Sequence, residues 1–129
     1  MVCLDSDIII SFLRKDQKTI QLLEELRDEE ELSTTSINSF ELLKGIPTDS
    51  KIDKENVKGI LSNFKIYNFE FESAEKAAEI FDNLKSKGEQ IDLADILIAS
   101  IAITNDETLV TKNLNHFERI KGLKLKKLE

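Results

Sequence analysis

The sequence predicts an α/β chain of three layers, with a mostly parallel central sheet between two layers of helices. Three observations carry this expectation. The short apolar runs Val2-Cys3-Leu4 and Thr108-Leu109-Val110-Thr111 have the length and composition of strands buried on both faces. The longer segments between them, above all 73–87 and 93–104, carry helical spacing or near-continuous apolar character. Strand-like and helix-like segments also alternate along the chain. Such alternation implies right-handed crossovers, with helices on both sides of a parallel sheet.

Each element has its own reason. Val2 to Asp5 is an apolar strand that ends on an acid. Ile8 to Leu13 is helical, with Ser6 or Asp7 able to cap it. From Thr19 to Arg27, Ile20, Leu23, Glu24 and Leu26 fall at helical spacing. Glu31 to Thr35 holds a brief strand. Ser36 to Lys44 is a helix closed by Gly45, with Pro47 just beyond as a stop. A helix is expected over 54–63. Over Lys65 to Phe71, Ile66, Asn68 and Glu70 alternate with Tyr67, Phe69 and Phe71, as in a strand. Ser73 to Lys87 is the clearest amphipathic helix, with Ala74, Ala77, Ala78, Phe81 and Leu84 inward and Gly88 as its stop. Leu93 to Thr104 is apolar almost all round and belongs between layers. After the Thr108–Thr111 strand, Leu123 to Lys126 alternates like an edge strand whose lysines guard the exposed side.

The chain's 129 residues fit one domain, expected to span 1–129. One cysteine, Cys3, excludes an intramolecular disulfide and a multi-cysteine metal site, and points to a reducing, cytoplasmic setting. No export signal is evident, and no apolar run approaches the roughly 20 residues a membrane-spanning helix needs, so no membrane partner is expected. The net charge of −7 argues against non-specific nucleic-acid binding by the whole surface. The charge is uneven, however. Residues 24–31 hold six carboxylates and one arginine, whereas Lys112, Arg119, Lys121, Lys124, Lys126 and Lys127 face only Glu118 in the stretch 112–127. Such a basic tract can meet phosphates locally, or it can be a solvated tail.

No GxGxxG, Walker loop or GxSxG is present, so dinucleotide binding, P-loop chemistry and a nucleophile elbow lack support. The lone histidine, His116, excludes multi-histidine zinc sites and reads as a surface or packing residue. Carboxylates are the remaining chemical resource. Asp5, Glu41 and Asp95 stand out because apolar residues surround them, and buried carboxylates are costly unless paired or bound to metal. Each also has a capping role open to it. Asp5 can cap the helix that follows, Glu41 can be the N3 member of an Asn38-x-x-Glu41 arrangement, and Asp92 and Asp95 can be N-cap and N3 of their helix. Asp92 suits the cap better and Asp95 the site. All three acids map to one edge of the sheet, and three oxygen donors without a basic partner describe a Mg²⁺ or Mn²⁺ site.

Four blocks together resemble PIN-domain proteins. Leu4-Asp5-Ser6-Asp7-Ile8-Ile9-Ile10 is similar to the family's opening strand and helix, and Glu41 matches its second acid. Asp92-Leu93-Ala94-Asp95-Ile96-Leu97-Ile98-Ala99 resembles its most recognisable block. Thr108 to Ile120, through Thr111-Lys112-Asn113-Leu114-Asn115-His116-Phe117, resembles the closing block. The resemblance implies a PIN-like three-layer fold and, given the chain's size, a toxin of the VapC type. It implies magnesium-dependent RNA cleavage, an antitoxin partner and a homodimer. Asp5 and Asp95 would be the main metal ligands, with Glu41 completing the pocket. Ser6, Asp7, Asp92 and Thr111 would support them, and Asn113 would position water or substrate. The basic stretch from Lys112 would hold the RNA backbone. One departure is that the family's fourth acidic position falls on Asn113, which adds no charge. Two other readings compete. One is a catalytically idle adaptor on the same fold. The other is a receiver-type signalling domain, which would need an aspartate ending the third strand.

Overall fold

Val2, Cys3 and Leu4 are all buried and extended, and they form the central strand β1 (Val2–Leu4) of a five-stranded sheet. The computed structural model describes residues 1–46, 53–90 and 92–128. After β1 come α1 (Ser6–Leu13), α2 (Gln17–Glu29), β2 (Leu32–Thr35), α3 (Ser36–Lys44), α4 (Lys54–Leu61) and β3 (Lys65–Tyr67). The chain continues through α5 (Phe71–Ser86), α6 (Leu93–Thr104), β4 (Thr108–Thr111), α7 (Leu114–Phe117) and β5 (Lys124–Lys127). Strand order is β3-β2-β1-β4-β5, and every pairing is parallel.

Side chains alternate across β1 and β4, and the core divides accordingly. Val2, Leu4 and Val110 pack on one face with Ile8, Ile9, Leu23, Leu42 and Val57 from α1 to α4. Cys3 and Leu109 pack on the other face with Ala77, Ile80, Leu84, Ile98 and Ala99 from α5 and α6. The result is the expected three layers, with all ladders parallel. No helix of the described residues is long and apolar enough to cross a membrane.

The strand order fixes where a site belongs. From β1 the chain first builds to one side, through β2 and β3, and then returns to place β4 on the other side. The switch point is therefore the gap between β1 and β4, and ligands of open parallel sheets bind beyond the carboxyl ends there. Leu4 is in register with Val110, and the Asp5 amide donates to the Val110 carbonyl at 3.0 Å. Asp5 and Thr111 consequently leave the sheet side by side. The order differs from the 2-1-3-4-5 of receiver-like folds, and β3 ends on Tyr67 rather than an aspartate. The receiver reading is thereby excluded.

Several expectations are corrected. The strand expected over 65–71 stops at Tyr67, because its one neighbour, β2, ends at Thr35 opposite Tyr67. Beyond that point the alternation has no ladder to join, Phe69 and Phe71 stay exposed, and α5 begins at Phe71. The buried face of α5 is Ser73, Ala77, Ile80 and Leu84, while Ala78 is exposed. Ser73 tolerates burial because its hydroxyl lies 3.1 Å from that of Thr104. Of the three residues able to cap α1, Asp5 does so, accepting from the Ser6 amide at 2.9 Å, and Ser6 and Asp7 do not. Thr35, not Asn38, caps α3, accepting from the Asn38 amide at 3.0 Å. At four residues, α7 is too short to carry a periodic signal in the sequence. Gly88 does stop α5: its φ of 68° sits where a left-handed residue is needed, and the Glu89 and Gly88 amides return to the Leu84 and Lys85 carbonyls. The Pro47 stop lies outside the described residues.

Helix α6 supplies the largest test of the packing. Ile98 is 1% exposed and Leu93 is 62% exposed on the same helix. Ile98→Ala should cost about 2–5 kcal/mol of unfolding free energy in a urea titration, whereas Leu93→Ala should stay within about 0.5 kcal/mol of the parent. Equal effects of the two substitutions would contradict the layer assignment of α6.

Candidate active site

Asp5 anchors the site. Its residue is 6% exposed, and both carboxylate oxygens are occupied. Oδ1 accepts from the Ser6 amide at 2.9 Å and from Asn38 Nδ2 at 2.9 Å. Oδ2 accepts from the Thr111 hydroxyl at 2.8 Å. Donors from α1, α3 and β4 therefore converge on one carboxylate. Asn38 is fully buried and is itself held, because its Oδ1 accepts from the Thr35 hydroxyl at 2.7 Å. The Asn113 amide donates to Thr111 Oγ1 at 3.0 Å, which leaves the Thr111 hydrogen for Asp5.

The other acids surround this centre. Ser6 Oγ accepts from Asn38 Nδ2 at 2.9 Å and donates to Glu41 Oε1 at 3.0 Å, so a single hydroxyl links Glu41 to the Asp5 network. Asp7 Oδ2 accepts from the Lys112 amide at 3.0 Å, with the Thr111 hydroxyl farther away at 3.3 Å. Asp7 Oδ1 is buried with no hydrogen-bond partner among the described residues. Asp92 caps α6, accepting from the Asp95 amide at 3.3 Å, and Asp95 Oδ2 lies 3.1 Å from His116 Nδ1. Among the described residues no lysine or arginine forms an ion pair with any of these five acids.

The electrostatics follow from burial and like charge. Burial pushes the Asp5 carboxyl up, against the opposing pull of its Thr111, Ser6 and Asn38 donors. Asp7 is pushed up to about 6, by burial first and by the Asp5 charge second. Asp95 also rises to about 6, from burial and the Asp92 charge, with His116 opposing. Glu41 is raised by burial, against the Ser6 hydrogen bond, and the charges of Asp5 and Asp92 raise it further. The five carboxylates thus share one field.

Carboxylate oxygens in this number suit a hard divalent cation, and the unpartnered buried oxygen of Asp7 fits that assignment. One ligand atom each from Asp92, Asp95 and His116 lie within 4.8 Å of one another, and among the described residues no other group of three or more His, Cys, Asp or Glu does so. Asp5, Glu41 and Asp95, the three ligands expected from the sequence, are therefore spread more widely than one bare ion requires.

Comparison with known proteins decides the family. The PIN domain family matches residues 2–123. The chain belongs to the PIN domain family. This PIN domain is 33% identical to Ribonuclease VapC1 of Methanocaldococcus jannaschii, over 97% of this chain and 85% of that protein. It is 32% identical to Ribonuclease VapC2 of Rickettsia felis, over 93% of this chain and 92% of that protein. Among solved structures it is similar to the crystal structure of VapBC2 from Rickettsia felis bound to a DNA fragment from their promoter. That likeness has a TM-score of 0.88 and 30% identity, and it covers all of both chains.

Two residues of this PIN domain escaped the sequence reading. Asn38 looked like a helix cap, and no local signal marks it as the donor to Asp5, 33 residues earlier. His116 is the exposed residue expected, but its approach to Asp95 depends on α7. Two further expected residues reach the site through their backbones. Lys112 reaches Asp7 through its backbone amide, while its ammonium group donates to Ser11. Asn113 uses its backbone amide on Thr111, and its side chain is exposed.

The raised carboxyls make a pH prediction for the metal-free protein. A folded-state pKa above the unfolded value of 3.8 means that the folded state binds its proton more tightly. The stability this contributes is complete below pH 3.8, declines as pH rises, and is gone above about 6. Asp7→Asn should therefore melt higher than the parent at pH 7 in chelator, with the difference shrinking toward pH 4. Melting curves at four or five pH values check this, and a difference that grows toward acid would refute it.

Proposed function

We propose that this chain is a magnesium-dependent endoribonuclease that cleaves RNA phosphodiester bonds, the toxin of a type II toxin–antitoxin pair acting in the cytoplasm. The observation that carries the reading is the convergence of Asp5, Asp7, Glu41, Asp92 and Asp95 at the sheet's switch point without a lysine or arginine ion pair. The relatives named ribonucleases support the activity, and the similarity to a VapBC complex supports the antitoxin. In this reading residues 1–129 act as one domain and the protein works as a homodimer.

Asp5 and Asp95 would hold Mg²⁺, with Mn²⁺ as a substitute, and Glu41 would join through a water or through Ser6. When bound, the ion supplies Lewis acidity and makes water a competent nucleophile at neutral pH. The chain's own residues do the positioning. Thr111, Asn38 and the Ser6 amide favour the ionised form of Asp5 against the opposing effect of burial, and they fix the direction of its carboxylate. Asp92 fixes the first turn of α6, and with it the Asp95 backbone. The exposed side-chain amide of Asn113 would orient substrate or water.

Asp5→Asn and Asp95→Asn should each remove magnesium-dependent cleavage of single-stranded RNA by purified protein. Asn38→Ala, which removes a donor behind Asp5, should cost about 10- to 100-fold. Magnesium at a hundredfold excess over its dissociation constant should stabilise the parent by about 2.7 kcal/mol, and Asp95→Asn should lose that response. Near-parental turnover in Asp5→Asn or Asp95→Asn would overturn the assignment.

The antitoxin should cover the acidic cleft, with an arginine or lysine among the carboxylates. Co-expression with the product of the adjacent gene should yield a complex in which cleavage is suppressed. Full cleavage by a stoichiometric complex would count against the pairing.

A further inference from the structure

The carboxylates attract a cation, but RNA arriving there is itself an anion, so something must offset the repulsion on the substrate side. Two members of the basic tract from Lys112 to Lys127 are committed elsewhere. The Lys112 ammonium donates to Ser11, and Lys124 pairs with Asp106 at 2.7 Å. Lys124 is in register with Thr108, the first residue of β4, so it lies at the end of the sheet opposite the acids.

Arg119 is placed differently. A cavity of about 270 Å³ opens beside the acid cluster, lined by Gln90, Asp92, Asp95, Asn115, His116 and Arg119. It shares Asp92, Asp95 and His116 with the acid group, so whatever fills it touches the reacting centre. Its size approaches the roughly 300 Å³ at the lower end of ligand cavities. Arg119 is the one arginine or lysine in this lining, and it is weakly committed. Nη1 donates to Glu89 at 3.4 Å, near the limit of a hydrogen bond, and the Glu89 side chain is 43% exposed. Arg119 Nε is buried and has no partner among the described residues. A guanidinium carries five donors in a planar fork suited to phosphate, and among the described residues only Nη1 has an acceptor. The side chains of Gln90 and Asn115 each offer both a donor and an acceptor, the equipment for a base edge.

We propose that this cavity is a nucleotide subsite, in which Arg119 takes the RNA phosphate flanking the scissile one while Gln90 and Asn115 face the adjoining base. The assignment rests on the ribonuclease reading and adds to it the place where the neighbouring nucleotide is held. The two carboxylates of this lining oppose an anion, so a phosphate is held there only beside the Arg119 guanidinium and with the divalent ion bound to the acids. Arg119 here binds substrate and leaves the acids and their metal untouched.

The test uses magnesium-loaded protein and a fluorescent single-stranded oligoribonucleotide of mixed sequence, 2′-O-methylated so that it resists cleavage. Anisotropy over a salt series should show Arg119→Gln binding about tenfold more weakly, with a salt dependence shallower by about one ion. Lys124→Gln, at the far end of the sheet, should match the parent in both. On cleavable RNA, Arg119→Gln should raise KM with kcat nearly unchanged, as loss of uniform binding requires, and its magnesium-induced melting shift should stay parental. If Arg119→Gln does not fold, Asn115→Ala serves instead, and it should alter the preference for the base beside the cleaved bond. Parental affinity and salt slope in Arg119→Gln, or an unchanged base preference in Asn115→Ala, would overturn the subsite. So would an Arg119→Gln variant that binds RNA normally and loses only the antitoxin. A parent protein that cleaves RNA while Arg119→Gln binds normally defeats the subsite alone. A parent that neither binds nor cleaves any RNA defeats the ribonuclease reading as well.

Discussion

One buried carboxylate organises the carboxyl edge of this sheet. Asp5 follows the central strand directly, caps α1 and receives donors from α3 and β4. An isolated carboxylate in an apolar interior is prohibitively costly, so those three elements are constrained to arrive together. α3 must begin immediately after β2 for Asn38 to reach Asp5, and Thr35 accomplishes this by ending the strand and capping the helix at once. β4 must end beside β1 for Thr111 to reach the same carboxylate, and the register Leu4 opposite Val110 fixes that. Hydrogen bonds to the ionised form and burial pull the Asp5 proton affinity in opposite directions, and burial prevails.

The elements legible from sequence are those whose local pattern agrees with their tertiary setting. α6 is apolar almost all round and lies between layers, so its span 93–104 reads off directly. β4 and α3 do likewise, each bounded by clear chemistry. Legibility fails where a neighbour decides. Lys65 to Phe71 alternates perfectly, yet the length of β3 is set by the end of β2. On α5 the buried Ser73 makes sense only through Thr104, 31 residues away in sequence. Among the site residues, the acids were visible because carboxylates among apolar residues are chemically conspicuous. Asn38 and His116 were not, because an amide or a lone imidazole acquires meaning only from the partner the fold supplies.

The acid group also shows how such a site is tolerated. Like charges crowding one edge destabilise the metal-free fold, and such strain is characteristic of sites kept for function rather than stability. The protein limits the damage by tethering four of the five acids through neutral donors: Thr111, Asn38 and the Ser6 amide for Asp5, the Lys112 amide for Asp7, the Ser6 hydroxyl for Glu41, and the α6 first turn for Asp92. Asp95 instead has His116 Nδ1 at 3.1 Å. A lysine or arginine in place of the neutral donors would stabilise the fold better and would also occupy the position a divalent ion needs.

Glu107 shows that burial alone does not make a carboxylate a site. It is 2% exposed, and Oε1 accepts from Tyr67 at 3.0 Å and from Ser33 at 3.2 Å, while Oε2 has no partner among the described residues. The phenol of Tyr67 is pushed up to about 12, by burial first and by its hydrogen bond to Glu107 second. The thiol of Cys3 is raised as far, by burial first, and stays protonated. The groups around Glu107 are thus the hydroxyls of Tyr67 and Ser33 and the Cys3 thiol. Glu107 immediately precedes β4, at the amino end of the strands, where a parallel sheet offers no crevice at its switch point. Asp5 is buried to a similar degree, but it stands at the carboxyl end of the neighbouring strand, and its charge acts on Asp7, Glu41 and Asp95. What separates the two is convergence at the topological switch point. The order of the strands sets that convergence, and no single buried acid could produce it.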